Sequence, residues 1–319
     1  MGTDGQSHGD TDTGREALII ECSLNEQVTK AENASVPISV DEVIADGLAA
    51  AAAGAAILHF HARDVSTGDL LHPGTETYRE IMRGIRRENP DVILYPTYGA
   101  SPTPEERFSH LEALAADPET RLDFATIDPG AVNYADYDPE TKQIGWDFVL
   151  SVTHGEIRYF FELCRRCGID FSFTVRELGQ IRHVLRYREM GLIADPLFFK
   201  LTMSEKHMWG VPPSVEGIRA LRAAIQPPDV PYRWMLFIEG GSANDVDLFR
   251  YAVESGGHVR VGVGDTPLFG GRALTNAEQV QKVVAMAEGA RRAVATPHET
   301  RSLLRKLPAG LLSTGSATA

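Results

Sequence analysis

The stretch AAILHFHARD, residues 55–64, decides how the chain is read. It is apolar enough for a buried strand, yet it carries histidines at 59 and 61. Side chains of a strand alternate, so Ile57, His59 and His61 share one face while Leu58, Phe60 and Ala62 share the other. The second face suits packing against helices. The first sets two imidazoles about 7 Å apart at their Cα atoms (two rises of ~3.3 Å), close enough to converge on one metal ion. Two histidines hydrogen-bonded inside a polar core would leave the same pattern, so the rest of the chain has to decide.

Seven further runs read as strands: 17–24 (ALIIECSL), 92–99 (VILYPTYG), 124–130, 170–176, 197–203, 234–240 and 258–265. Helical periodicity follows each one. Capping-box patterns at Ser39–Glu42 and Thr275–Glu278 mark two helix starts, and Pro104 after Thr103 marks a third. Eight β-α units in a row predict a (β/α)8 TIM barrel. The rival, a doubly wound sheet, is disfavoured because GVGDTP at 262–267 lacks the third glycine of a dinucleotide fingerprint. In a barrel the active site lies at the C-terminal ends of the strands. Polar residues crowd those ends here: Glu21, His59, His61, Thr97, Thr126, Asp128, Thr174, Arg176, Lys200, Glu239, Arg260 and Asp265. Such a rim reads as a site, and it favours the metal reading of the two histidines.

Bulk composition narrows the partners. A net charge of −13 argues against a general nucleic-acid binder and against adhesion to anionic membranes. No apolar run is long enough to span a bilayer and no signal-peptide layout is present, so the reading is a soluble, cytoplasmic protein. Three cysteines, Cys22, Cys164 and Cys167, form no disulfide framework, and the Cys164/Cys167 pair closes a helix rather than opening one. Residues 1–15 read as a disordered tail, 16–300 as one catalytic barrel and 301–319 as a C-terminal extension.

With these features in place, the chain resembles the beta-keto acid cleavage enzymes, the family of 3-keto-5-aminohexanoate cleavage enzyme. The carriers are NEQVTKAENASVPISVDEV at 25–43, GAAILHFHARD at 54–64, GGHVRVGVGD at 256–265 and LTNAEQV at 274–280. The resemblance implies a zinc-dependent barrel, commonly a homotetramer, that splits a 3-keto acid with acetyl-CoA into acetoacetate and a new acyl-CoA. It implies zinc ligation by His59 and His61, carboxylate binding by Arg260, a catalytic role for Asp265 and a hydroxyl contribution from Thr97. Three family carboxylates are absent: the third zinc ligand falls at Gly264, a glutamate of the first loop at Gln27, and a strand-5 glutamate at Thr174.

The chemistry asks for a cation on the substrate carboxylate, a Lewis acid on the keto oxygen and a base near the keto carbon. Arg260 supplies a bidentate fork, zinc on His59 and His61 the Lewis acid, and Asp265 the base. Glu239, at the end of the seventh strand, is the expected third metal ligand in place of Gly264, with Asp265 as the other choice. Thr97, Thr126 and Gln27 are expected to line the substrate. With Gln27 and Thr174 replacing acids, the substrate's far end is expected to be neutral or acidic. Two alternatives remain: a metal-free lyase or aldolase forming a Schiff base on Lys200, and a non-catalytic barrel that binds an acidic ligand.

Overall fold

The computed structural model describes residues 15–241 and 245–305. The barrel strands are β1 (Ile20–Ser23), β2 (Ile57–Phe60), β3 (Ile93–Pro96), β4 (Phe124–Ile127), β7 (Asp170–Val175), β8 (Leu197–Met203), β9 (Tyr232–Ile238) and β10 (His258–Val261). They form one parallel sheet in the order β3-β2-β1-β10-β9-β8-β7-β4, and β3 and β4 approach one another to curl it into a barrel. The chain is a (β/α)8 TIM barrel with its parallel strands nearly closed, as the eight-fold strand count predicts.

Helices α1 (Val40–Ala53), α2 (Thr75–Glu88), α3 (Pro104–Ala116), α4 (His154–Cys167), α5 (Leu178–Glu189), α6 (Val215–Ala223), α7 (Asp245–Glu254) and α8 (Asn276–Gly289) return the chain between strands and after the last. The expected caps form: Ser39 and Glu42 close a capping box on α1, Thr275 and Glu278 do so on α8, and Thr103 caps α3 ahead of Pro104. None of the described helices is long and apolar enough to cross a membrane.

Two features depart from a helix after every strand. Between β4 and α4 the chain forms an antiparallel hairpin, β5 (Val132–Asp138) and β6 (Gln143–Leu150). A last helix, α9 (Pro297–Leu304), runs across the expected domain boundary at residue 300 and ties down beside β4, where Arg301 Nε donates to Asp123 Oδ2 at 2.7 Å. The expected N-terminal tail up to residue 14 and the extension beyond residue 305 lie outside the described residues.

The barrel interior is not wholly apolar. Lys200 on β8 reaches Glu21 on β1, and these strands stand three places apart in the sheet, so their contact crosses the interior. Lys200 Nζ lies 2.8 and 2.7 Å from the two oxygens of Glu21 and 2.6 Å from the Tyr95 hydroxyl. Both charged groups have no exposed surface, which is tolerable only because each is paired and hydrogen-bonded.

Candidate active site

His59 and His61 sit at the C-terminal end of β2 and both are buried. The His59 ring stacks on Tyr95 from the neighbouring β3, with centroids 4.4 Å apart. Its Nδ1 is 3.2 Å from the Tyr95 carbonyl oxygen; donation there leaves Nε2 as the lone-pair nitrogen facing the cavity. Burial pushes the His59 imidazole down to about 4 against the pull of Glu26, so it is neutral at pH 7 and able to ligate. His61 Nδ1 is buried without a hydrogen-bond partner.

The carboxylate that meets these rings is Glu26, in the loop after β1. Its Oε1 lies 3.0 Å from His59 Nε2 and its Oε2 lies 2.5 Å from His61 Nε2. One ligand atom from each of the three side chains falls within 4.8 Å of the others, which suits one ion. Glu26 has φ +36°, a left-handed conformation that a non-glycine residue adopts at a cost, and this turns its side chain back over the strand ends. Burial alone would raise its carboxyl, but His61, His59 and Arg260 hold it well below the usual carboxylate range.

Gly264 explains why Glu26 can stand there. A Cβ at 264 would come 2.8 Å from Glu26 Cγ and from Ser23 Oγ, and 2.9 Å from the Asn25 nitrogen. The missing side chain at 264 and the carboxylate at 26 therefore share one volume. Gly262 has a separate reason: with φ +138°, its Cβ would lie 2.1 Å from the Ser23 carbonyl oxygen.

Glu239 is placed elsewhere. Its Oε2 takes Arg176 Nε and Nη2, both at 3.2 Å, and the Tyr134 hydroxyl at 3.5 Å. Its other oxygen lies 3.6 Å from His207 Nε2. The pull of Arg176 on the far side of the mouth keeps it out of the group formed by Glu26, His59 and His61.

Arg260 and Asp265 come together as a pair. Arg260 Nε and Nη2 donate to the two Asp265 oxygens at 2.6 and 2.7 Å. Nη1 donates to Glu21 at 3.2 Å and to the Tyr95 hydroxyl at 3.0 Å, and Nη2 also reaches Ser23 Oγ at 3.2 Å and Glu26 Oε1 at 2.5 Å. Burial pushes the Asp265 carboxyl up to about 6 against the pull of Arg260.

Lys200 is not a reactive amine facing the cavity. Burial lowers it to about 8 against the pull of Glu21, but it has no exposed surface and its ammonium is boxed between Glu21 and Tyr95. A carbonyl substrate has no approach to Nζ, which removes the Schiff-base reading.

A cavity of about 560 Å³ opens over these groups, with Glu26, His59, His61, Arg260 and Asp265 along its inner wall. Thr97, Thr126, Gln27 and Glu239 line it as well, so the expected metal, catalytic and substrate residues border one space, while Glu21 and Lys200 of the polar rim are buried and do not line it. Thr126 is turned aside, its hydroxyl 2.9 Å from that of Thr174. Sequence reasoning missed Glu26, although it stands next to Gln27 in the quoted motif, and it missed the hairpin that roofs the cavity.

The beta-keto acid cleavage enzyme family profile matches residues 17–305. The chain belongs to the beta-keto acid cleavage enzyme family. It is 29% identical over 295 residues to the 3-keto-5-aminohexanoate cleavage enzyme of Fusobacterium nucleatum subsp. nucleatum, covering 91% of this chain and 98% of that one. It is 28% identical to the 3-dehydrocarnitine:acetyl-CoA trimethylamine transferase of Rhizobium meliloti, over 91% of this chain and 97% of that protein. Identity to the 3-oxoadipate:acetyl-CoA acetyltransferase of Cupriavidus necator is 26%, over 86% and 89%. Among solved structures, ObcA in a ternary complex with a C4-CoA adduct and oxalate superposes with a TM-score of 0.66 at 15% identity, over 85% of this chain and 67% of that chain. That likeness concerns the fold alone.

Proposed function

We propose that this family member is a zinc-dependent enzyme that condenses a 3-keto acid with acetyl-CoA to give acetoacetate and a new acyl-CoA. The observation that carries the reading is the convergence of Glu26, His59 and His61 beside the Arg260–Asp265 pair on one cavity wall. Two imidazoles and one carboxylate are a donor set that catalytic zinc takes with a position left open. The family and the acetyl-CoA-dependent relatives support the reaction class.

When bound, the metal supplies a Lewis acid that polarises the substrate's keto oxygen. The chain's own residues do the rest. Arg260 directs Nη2 at Glu26 Oε1 beside the cavity; where Glu26 would hold the metal, that N–H would be left to grip the substrate carboxylate by a charge-assisted hydrogen bond. Asp265 holds the guanidinium in one plane. With a carboxyl near 6 it is also matched to take a proton from the carbon between the substrate's acid and keto groups. Thr97 faces the same space and offers a hydroxyl. Tyr95 fixes the His59 ring by stacking and the Arg260 fork by its hydroxyl, so ligand and anchor share one support.

We read the enzyme as a cytoplasmic homotetramer, as the family resemblance implies; sedimentation of the purified protein checks the assembly. Metal analysis with a turnover screen tests the function. The expected result is about one zinc per chain and acetoacetate formation from some 3-keto acid, both lost in the His59→Ala/His61→Ala variant. A full metal complement in that double variant would sink the assignment. A metal-loaded enzyme that turns over no 3-keto acid would leave the binding-only alternative.

A further inference from the structure

We propose that the 3-keto acid cleaved here carries an uncharged, apolar far end that packs against Trp146 and Phe148, an inference that rests on the 3-keto acid reading above. The inner wall of the cavity is committed to the acid and keto groups. What remains for the rest of the substrate is the outer half, under the β5–β6 hairpin.

The hairpin presents one face to the cavity. Tyr134 pairs with Phe148 and Asp136 with Trp146 in the ladder, and directly opposed residues of an antiparallel pair share a face. Trp146 is 49% exposed and Phe148 is 40% exposed, yet both line the same cavity as His59 and Arg260. The roof is also anchored along its outer edge: Tyr137 N donates to the Lys206 carbonyl at 3.2 Å, and Met208 N donates to the Ala135 carbonyl at 3.0 Å. Two large aromatic faces are thus held open to water over a reaction cavity by a hairpin whose β5 strand is fixed to the 206–208 segment. A ligand that covers them gains the transfer of its own apolar surface and theirs out of water.

Charge decides what kind of group covers them. Beneath the hairpin the described carboxylates Asp128, Glu239 and Asp136 each already have a cation, and Glu32 of the same cavity accepts from the Thr29 N–H and hydroxyl. Arg176 takes Asp128 and Glu239. Lys206 lies 3.4 Å from Asp136, and His207 Nδ1 lies 2.6 Å from its other oxygen. Arg176 is in turn spent on those two acids, with its guanidinium over the Tyr134 and Trp209 rings. Among the described residues beneath the hairpin, therefore, no cation is left unpaired for a second substrate carboxylate and no carboxylate for an ammonium. The hydroxyls of Thr126 and Thr174 are bonded to each other, so they do not demand a polar partner. An uncharged apolar group meets this wall without stranding any of these pairs.

The test uses the metal-loaded protein and three unreactive carboxylates of similar length: 5-phenylpentanoate, 6-aminohexanoate and adipate. Calorimetry should show the phenyl acid binding about 10- to 50-fold tighter than the other two, the return on burying its ring against the roof. Trp146→Ala and Phe148→Ala should each remove most of that advantage, while Trp146→Phe keeps part of it. The matching 3-keto acids should show the same order in kcat/KM. A charged carboxylate that binds as well as the phenyl acid overturns the proposal, as does a phenyl advantage that survives in the double alanine variant. Variants that change the sedimentation state but not the preference would make the roof an interface between copies and also overturn it. The two readings fail separately: phenyl preference without cleavage of any 3-keto acid removes the proposed reaction alone, and cleavage with a preference for charged ends removes this inference alone.

Discussion

Replacing Arg260 with lysine keeps the positive charge and removes the planar fork, which makes it the sharpest probe of substrate anchoring. Arg260 spreads its N–H groups over Asp265, Glu21, Tyr95, Ser23 and Glu26. Lysine has three protons on one nitrogen and cannot serve the Asp265 side and the Nη2 direction together. The buried acids keep a cation, so the fold and the metal should survive. What goes is one charge-assisted hydrogen bond to the incoming carboxylate, worth ~1.5–3 kcal/mol. Arg260→Lys should therefore lower kcat/KM for a 3-keto acid by about 10- to 150-fold. The assay compares the acid with its methyl ester in both proteins. The ester should be a poor substrate for the wild type and should lose little more in the variant. If the wild type handles acid and ester equally, or the variant loses as much on the ester as on the acid, Arg260 merely braces Asp265 and the anchoring argument fails.

Glu26→Gln should weaken metal retention by at least about 10- to 100-fold in a chelator competition, the size of effect that even indirect partners of a metal site produce. Glu239→Gln should leave retention unchanged, because its partner is Arg176; the reverse order would return the third ligand to Glu239. Lys200→Met takes from the buried Glu21 carboxylate its nearest cation and leaves it only Arg260 and the Tyr95 hydroxyl, and urea unfolding should show a loss of about 3 kcal/mol; borohydride with a keto acid should leave no adduct on the wild-type lysine. Asp46, pushed up to about 6 by burial against the hydrogen bond from Asn276, supplies a pH test. An acid whose folded pKa is raised favours folding while protonated, so its contribution is full below about pH 4, declines between about 4 and 6, and is flat above. Asp46→Asn should abolish that decline and stabilise the protein by about 1–2 kcal/mol at pH 8, after discounting for its partial exposure; identical pH profiles in the two proteins would refute the assignment.

The barrel was legible because its evidence is local and repeated. Each strand is a short apolar run, and the Ser39, Thr103 and Thr275 caps announce their helices without any tertiary information. The hairpin is equally local in pattern, since Ile144, Trp146 and Phe148 alternate with polar residues. It is masked because a barrel pattern calls for a helix after β4, and the largely exposed β6 offers no core signal. The His59/His61 pair and the Arg260/Asp265 pair were readable as a set because strand periodicity fixes where side chains at strand ends point. Glu26 was not. Its role depends on a positive φ in an irregular loop and on the room left by Gly264, which is distant in sequence, and neither is visible in a one-dimensional pattern. Glu239 looked like the natural substitute by strand order alone, but Arg176, two elements away, claims it.

The proposed reaction joins the acid-bearing carbons of a 3-keto acid to the acetyl group of acetyl-CoA. Carbon-13-labelled acetyl-CoA tests it directly. Incubated with the metal-loaded enzyme and an unlabelled 3-keto acid, with products followed by NMR, the label should appear in the methyl and keto carbons of acetoacetate. The carboxylate end of the acetoacetate and the new acyl-CoA should both be unlabelled. Label that stays in the thioester, or leaves only as free acetate, would contradict this reaction.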